Sequence, residues 1–322
     1  MQSVAIIIPS KDRLNYCLAQ IKYYNKANFR GTLVIVDSSS KSSFLEFKKN
    51  IQKMNLINVK LYNKPLLSTH QAIAFGLKQI KETCNYFVFS GDDDFFVVDG
   101  IDKAERFLDS HPDFIGVVGK GIIAKHMRLE NGIRIGWVGT YWKPRDISDI
   151  NSLNRVRAIS KDYLNLEFAV KRVSVCIDDL NLMNRVFGTV KFKNSTDLEI
   201  CSTLSIALAG RIKYLRTRFL IRGDHDARPN LLKKPNEIYP TGKRKNNCVL
   251  YLSTVLNHYD KSLKSCGENI INDYFVVNNK KRQKRKQGFT RYYFFYVRVL
   301  RKFSGIFLRS YYKRYFELFT RL

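Results

Sequence analysis

Apolar residues in the first hundred positions come in short unbroken runs separated by amphipathic stretches. Val4–Ala5–Ile6–Ile7–Ile8 is closed by Pro9, and Thr32–Leu33–Val34–Ile35–Val36 ends at Asp37 and a serine cluster. Continuous β-branched runs of this length are expected of strands buried on both faces. Helical patterning follows each run, from about Leu14 to Asn28 and from Phe44 to Met54. A short strand at Val59–Tyr62 leads to a helix over Thr69–Thr83, whose apolar stripe is Ala72, Phe75, Leu77 and Ile80. Tyr86–Phe87–Val88–Phe89 then runs into Ser90–Gly91–Asp92–Asp93–Asp94. Strands separated by helices predict βαβ units and an α/β fold with a mostly parallel sheet flanked by helices. Such sheets bind ligands at the carboxyl ends of their strands, where Asp37 and the three aspartates fall.

From about Ile101 to Gly188 the pattern loosens. Gly116, Gly119, Gly121, Gly132, Gly136 and Gly139 suggest turns and hairpins around strands such as Ile115–Val118 and Ile133–Val138. A helix is expected over Asp197–Ala209 and a strand around Tyr214–Ile221, followed by the polar loop Arg222–Arg228. Pro229, Pro235 and Pro240 punctuate a linker-like stretch before helical pattern returns over Val249–Tyr259. No internal repeat is present. The division this predicts is an α/β domain over 1–228, a helical extension over 229–278 and a tail over 279–322.

Charge sets the tail apart. The chain of 322 residues carries 56 Lys+Arg against 28 Asp+Glu, a net +28. Lys280–Leu322 holds 14 Lys+Arg and one acid, Glu317, so +13 falls there and 28 − 13 = +15 on the other 279 residues. An excess of this size implies an anionic partner. The basic run Asn279–Lys286 leads into Tyr292–Tyr296 and then Phe303, Phe307, Tyr311, Tyr315 and Phe319, mostly four apart. A basic helix with an aromatic face suits an anionic membrane surface. A helix packed on the main domain and a nucleic-acid-binding extension are the other readings. Crowding of the basic residues into the tail disfavours nucleic acid. Six cysteines without pairing or zinc-type spacing read as reduced thiols. The apolar run before Pro9 is short for a signal peptide, so the expected location is cytoplasmic and peripheral on the inner face of the cell membrane.

Three consecutive aspartates repel one another in a confined site. A divalent cation relieves that repulsion, and hard carboxylate oxygens suit Mn²⁺ or Mg²⁺. A bound cation can bridge diphosphate oxygens and stabilise a leaving nucleotide. The bland alternative is a solvated acidic turn that caps the next helix.

Pro9–Ser10–Lys11–Asp12–Arg13 after the first strand, Asp37 after the second and Ser90–Phe95 after a later one together resemble the inverting family 2 glycosyltransferases, of GT-A fold. The closer likeness is to a smaller bacterial and archaeal branch. Asp197–Leu198–Glu199–Ile200–Cys201, Ala209–Lys213 and Leu220–His225 extend it, so that it covers about residues 3–228 in order. The resemblance implies a nucleotide-sugar donor, a glycan or lipid-linked acceptor and a Mn²⁺ or Mg²⁺ cofactor. It implies that Asp37 accepts hydrogen bonds from the donor's base, that Asp92 faces the ribose or metal, and that Asp94 is the main metal ligand with His225. Pro9, Ser10, Lys11, Arg13 and Asp93 complete the nucleotide side. For Lys11 and Arg13 a solvated turn and helix start stays equally open.

Inverting transfer needs a general base for the acceptor hydroxyl. Glu199 lies eleven residues before Gly210, similar to the family's spacing, with Asp197 the alternative; one of the two is expected only to cap the helix. The chain departs from the family by Asp197–Leu198–Glu199 where Glu–Asp is commoner. It also has Ser68–Thr69–His70–Gln71 where many relatives place an arginine. The rival classes are a sugar-phosphate nucleotidyltransferase, whose glycine-rich N-terminal loop is missing, and a nucleic-acid-binding protein.

Overall fold

The computed structural model describes residues 4–52, 58–129, 132–142, 144–176, 195–224, 243–259, 261–274 and 276. His225 and the basic tail fall outside the described residues.

The first strand, β1 (Val4–Ser10), is followed by α1 (Leu14–Lys26), β2 (Thr32–Asp37), α2 (Lys41–Gln52), β3 (Val59–Asn63), α3 (Thr69–Ile80) and β4 (Tyr86–Phe89). Odd and even residues of β1 and β2 serve two different cores. Ile6, Ile8, Leu33 and Ile35 pack with Cys17, Ile21 and Tyr24 of α1 and Phe47 of α2. Ala5, Ile7, Val34 and Val36 pack with Ala72, Leu77 and Ile80 of α3. Alternation of side chains across a strand and cover on both faces explain why Val4–Ile8 and Leu33–Val36 contain no polar position.

The acidic turn leads directly into β5 (Asp94–Phe96), then α4 (Val98–Ser110), β6 (Phe114–Leu129), β7 (Gly132–Thr140), α5 (Ser152–Lys161), a 3₁₀ turn (Leu166–Phe168) and β8 (Val170–Arg172). Helices α4 and α5 correct the expectation of a stretch made of turns and hairpins. The stripe of α4, Ile101, Ala104 and Leu108, is buried against the sheet but lies among Asp99, Asp102, Lys103 and Glu105. Gly100, in the first turn of α4, sits where an added Cβ would come within 2.3 Å of the Arg218 carbonyl oxygen. The chain continues as α6 (Ser195–Ala209), β9 (Arg211–Asp224), α7 (Lys243–Tyr259) and a last helical stretch over 266–274.

The sheet runs β3-β2-β1-β4-β8-β6-β9-β5, with β7 paired to β6. Strands β3, β2, β1 and β4 are mutually parallel, as are β6 and β9. Reversed β8 joins the two groups by pairing antiparallel to both β4 and β6. The α/β architecture, with most strands in one direction and helices on both faces, is the one the pattern predicts. Helices α5 and α7 pack on α6, and Cys248, Tyr251, Leu252, Ile271 and Tyr274 share one core with Ile200 and Leu204. That sandwich explains why α6 is apolar nearly all round. All six cysteines are free, five of them buried. Among the described residues no helix is long and apolar enough to cross a membrane.

Strand direction assembles one edge. Ser10, Asp37 and Phe89 end β1, β2 and β4 at the carboxyl edge of the sheet. Helix α3 starts at that edge and leads back to the amino end of β4, and the 3₁₀ turn precedes a strand running the opposite way from β4, so His70 and Glu167 lie there too. The start of α6 also falls on this side, because its end at Ala209 feeds the opposite end of β9.

Candidate active site

Three loops at the carboxyl edges of β1, β2 and β3 are stitched together by the backbone. The Ser38 N–H donates to the Ser10 carbonyl at 2.8 Å, and the Lys64 N–H to that of Asp37 at 2.8 Å. Asp12, in the β1–α1 turn, takes a left-handed φ of 55°, a conformation Asp tolerates better than most residues. Its N–H donates to Ser39 Oγ at 2.7 Å, and that hydroxyl donates to Asp37 Oδ1 at 2.6 Å. Asp37 is only 1% exposed, and its second oxygen, Oδ2, has no partner in the described structure. Burial raises its pKa, against the pull of the Ser39 hydrogen bonds. A buried acceptor left without a donor costs about 1–3 kcal/mol, so this oxygen is suited to a ligand's N–H or O–H.

The acidic turn is held from beneath. Gln20, fully buried on α1, donates through Nε2 to the Gly91 carbonyl at 2.5 Å and the Asp94 carbonyl at 2.8 Å. Ser90 Oγ lies 3.0 Å and 3.2 Å from the same two oxygens. A Cβ at Gly91 would stand 2.9 Å from Asp94 Oδ2 and 3.1 Å from Asp93 Oδ1, so a larger residue there would push the carboxylates aside. Asp94 opens β5, pairs in register with Arg222 of β9 and accepts the Gly223 N–H at 3.1 Å through Oδ1.

Arg13 spans the turn. Its guanidinium reaches Asp92 Oδ1 at 2.9 Å and Asp93 Oδ2 at 3.2 Å, and rests 4.4 Å from the centre of the Tyr16 ring. Burial alone would lower the arginine pKa, but the two carboxylates outweigh it and raise it. Burial pushes Asp92 up to about 7; Arg13 opposes this, while Asp93 and Asp94 add to it. Ser10 Oγ lies 3.5 Å from Asp92 Oδ2. Lys11 is exposed and takes no part in these contacts, and Pro9 serves β1 by pairing with Val36. Arg13, Ser10 and the aspartates are thus brought together, with Asp37 two strands over from the acidic turn; His225 is outside the described residues.

Carboxylate crowding that one guanidinium does not relieve fits a divalent cation. No three His, Cys, Asp or Glu side chains converge at ligating distance among the described residues. A donor set of one or two carboxylates still suits Mg²⁺, which keeps several waters and takes other oxygens from phosphate.

Across the aromatic group that follows, a second set of ionisable residues appears. Phe168 stacks on Phe89 at 5.6 Å and meets Trp142 at 5.8 Å, while Arg222 lies over Tyr141 and Phe168 and donates to the Tyr141 hydroxyl. Beside Phe168, Glu167 Oε1 pairs with His70 Nε2 at 3.0 Å. Glu199 accepts from the Tyr163 hydroxyl at 2.8 Å. Burial and the Glu167 charge push Glu199 up to about 7, against the Tyr163 hydrogen bond and His70. Asp197, two residues earlier, is buried at the helix start.

Sequence reasoning missed Gln20, Tyr163, Glu167 and Arg222, and registered His70 only as a departure. Gln20 had a signal: it is a polar residue in the buried stripe Cys17, Ile21, Tyr24. Glu167 had none, since its partner is 97 residues away.

No family model and no curated protein matches the chain. Among solved structures it is similar to S. aureus TarS 1–349, at 13% identity over 88% of this chain and 92% of that one, with a TM-score of 0.48. It is also similar to TarS 1–349 in complex with UDP-GlcNAc (14% identity, 88% and 92% covered, TM-score 0.45) and with UDP (15%, 88% and 92%, TM-score 0.44).

Proposed function

We propose that this protein is a metal-dependent glycosyltransferase of GT-A type that moves a sugar from a nucleotide-sugar donor to an acceptor hydroxyl, with inversion. The observation that carries the reading is the orphaned Oδ2 of buried Asp37, at the same sheet edge as a crowded acidic turn and two strands over from it. A nucleotide sugar answers both needs. Its base or ribose offers an N–H or O–H to Asp37, and its diphosphate calls for a cation at Asp92 and Asp94. The order of the motifs, which resembles the inverting family 2 enzymes, supports it.

In this reading Asp92 and Asp94 would hold Mn²⁺ or Mg²⁺, whose positive charge would stabilise a departing diphosphate. Arg13 exchanges part of its contact with Asp92 and Asp93 for phosphate oxygens, to which a guanidinium binds in the same geometry. Glu199 takes the proton of the acceptor hydroxyl as its oxygen bonds to the anomeric carbon and the bond from that carbon to the diphosphate breaks. The acceptor is a glycan or a lipid-linked glycan, with the tail over 279–322 resting on an anionic membrane surface.

The test incubates the full chain with a panel of nucleotide sugars, UDP-GlcNAc among them, with Mn²⁺, Mg²⁺ or excess EDTA, and measures release of the nucleotide. Turnover confined to the samples with added metal is expected. Release undiminished in EDTA, or none from any donor, would overturn the reading.

A further inference from the structure

Four side chains from four separate segments meet beside Phe168. His70 belongs to the first turn of α3, Glu167 to the 3₁₀ turn, Glu199 to α6 and Tyr163 to the connection after α5. Their framework is tightly made. Thr203, one turn along α6 from Glu199, accepts the Leu166 N–H at 3.3 Å and donates to Asn165 Oδ1 at 3.4 Å. Asn165 Oδ1 also accepts the Glu167 N–H at 2.9 Å. The 3₁₀ turn is therefore fixed to the helix that bears Glu199, and the two carboxylates lie close enough to repel.

The imidazole is in an unusual place. A helix N-terminus carries partial positive charge and disfavours a cation, and α3 begins with a capping box between Ser68 and Gln71. Burial also opposes a charged His70, yet the hydrogen bond and charge of Glu167, with Glu199 beyond, outweigh it and raise the pKa. The His70–Glu167 contact measures 3.0 Å, and both side chains are 10% exposed. Two further groups pack here among the described residues. The Lys171 ammonium donates to the carbonyls of Leu166, Glu167 and Ala169, and Tyr274 packs edge-on against Tyr163.

We propose that His70 and Glu167 are positioning residues for Glu199, a pair whose imidazolium keeps that carboxylate ionised and able to take a proton at neutral pH. The inference rests on the reading of Glu199 as proton acceptor. Two carboxylates side by side in a shielded site cannot both stay ionised without a cation. Lys171 is spent on backbone carbonyls, and His70 is the cation paired directly with a carboxylate of the set, held protonated by Glu167 against burial and the helix end. The group then carries one net negative charge, and the arriving proton neutralises it. In the bland alternative the pair is a structural clip between α3 and the segment before β8. A clip contributes to stability but leaves the pH dependence of turnover where it was.

The experiment uses the full chain with Mn²⁺ and a nucleotide sugar it hydrolyses, and records kcat and KM against pH. Compared are His70→Asn, Glu167→Gln, the double variant and Glu199→Gln. In His70→Asn the acid limb of kcat should move up by about 1 pH unit or more, the usual effect of removing an opposite charge at this range, with donor KM unchanged. The double variant should move it back, because one negative charge has left with the positive one. An independent readout needs no substrate. The ring Cε1–H signal of His70, identified by its loss in His70→Asn, should titrate at lower pH in Glu167→Gln than in the wild type. A lowered melting temperature with an unmoved acid limb would make the pair a clip and overturn the proposal, as would an unchanged His70 titration in Glu167→Gln. If His70→Asn does not fold, His70→Gln serves to identify the signal, and the titration in Glu167→Gln decides alone. Wild-type activity and limb in Glu199→Gln would instead remove the base reading, a separate failure that the other variants do not mimic.

Discussion

Two groups of carboxylates stand at one edge of the sheet, and their counter-ions differ in kind. Asp92 and Asp93 face Arg13, whose guanidinium keeps its proton under all ordinary conditions. Glu167 and Glu199 face His70, whose imidazole changes charge near neutrality. Burial and like charge push Asp92 and Glu199 each up to about 7, so the two sites begin alike. What separates them is what each can do next. A permanent cation over the acidic turn makes a fixed electrostatic field, which suits the binding and departure of a diphosphate. A titratable cation beside Glu199 lets the charge of the group follow the proton, which suits acid–base work.

The strongest way to break this contrast is at Asp94. Asp94→Asn keeps an oxygen for the Gly223 N–H and leaves Gln20 and Ser90 their carbonyl, so the turn should hold its shape. It removes one negative charge from the field. Donor turnover should fall by roughly 10²–10³-fold, the scale of losing one group aimed at developing charge, with an unchanged circular dichroism spectrum. Turnover within a few-fold of wild type would show that the acidic turn does not serve the reaction.

A smaller effect, on stability, compares the two counter-ions directly. An unfolded carboxyl titrates near 4, whereas Asp92 and Glu199 titrate at about 7 when folded. Between those values the folded state holds protons that the unfolded state has lost, so each group makes stability fall as pH rises through that window. His70, raised in the folded state, acts in the same direction: its contribution is present below about pH 6.5 and is lost as pH rises through its folded value. Glu199→Gln removes a term that is unfavourable only at the upper end. Relative to wild type without metal, it should gain a few degrees in melting temperature at pH 8 and little at pH 5. Asp92→Asn should gain less at pH 8, since it also leaves Arg13 with one carboxylate fewer. Comparison with wild type at each pH cancels the self-repulsion of the +28 chain. Equal gains in both variants would mean that the kind of counter-ion does not matter.

The same two groups differ in how far the sequence announces them. The acidic turn follows an apolar run, and its neighbours Ser10 and Asp37 end two others, so strand ends and local composition suffice to place it. Burial on both faces leaves such runs without polar interruptions, and that is what makes them visible. Glu167 belongs to a 3₁₀ turn with no period to detect and His70 to the start of a helix whose apolar stripe does not include it, and the two meet only because β8 runs back along β4. Likewise α4 hides three core residues among charged ones, and β8 is three residues long. Arg13 is intermediate: its position after β1 is legible, while its grip on two aspartates depends on β1 pairing with β4. Local pattern therefore finds the permanent field more readily than the titratable site.

The smallest expected effect sharpens the donor side alone. Ser39 Oγ is the joint between two loops, accepting the Asp12 N–H at 2.7 Å and donating to Asp37 Oδ1 at 2.6 Å. Ser39→Ala leaves both groups without this partner, and Asp12 keeps its left-handed backbone with less to hold it. A single intramolecular hydrogen bond is worth about 0.5–1.5 kcal/mol, which is roughly a threefold to tenfold change in an equilibrium constant. The donor's apparent affinity should fall by about that factor, while kcat and the acid limb set at Glu199 stay where they are. Loss of the hydrogen bond also removes a restraint that lowers the Asp37 pKa, so the weakening should be greater at pH 5 than at pH 8. Isothermal titration of the nucleotide product into wild type and Ser39→Ala at both pH values measures this directly. An unchanged affinity would place the nucleotide away from Asp37, and an acid limb that moved with Ser39 would join two sites that the geometry keeps apart.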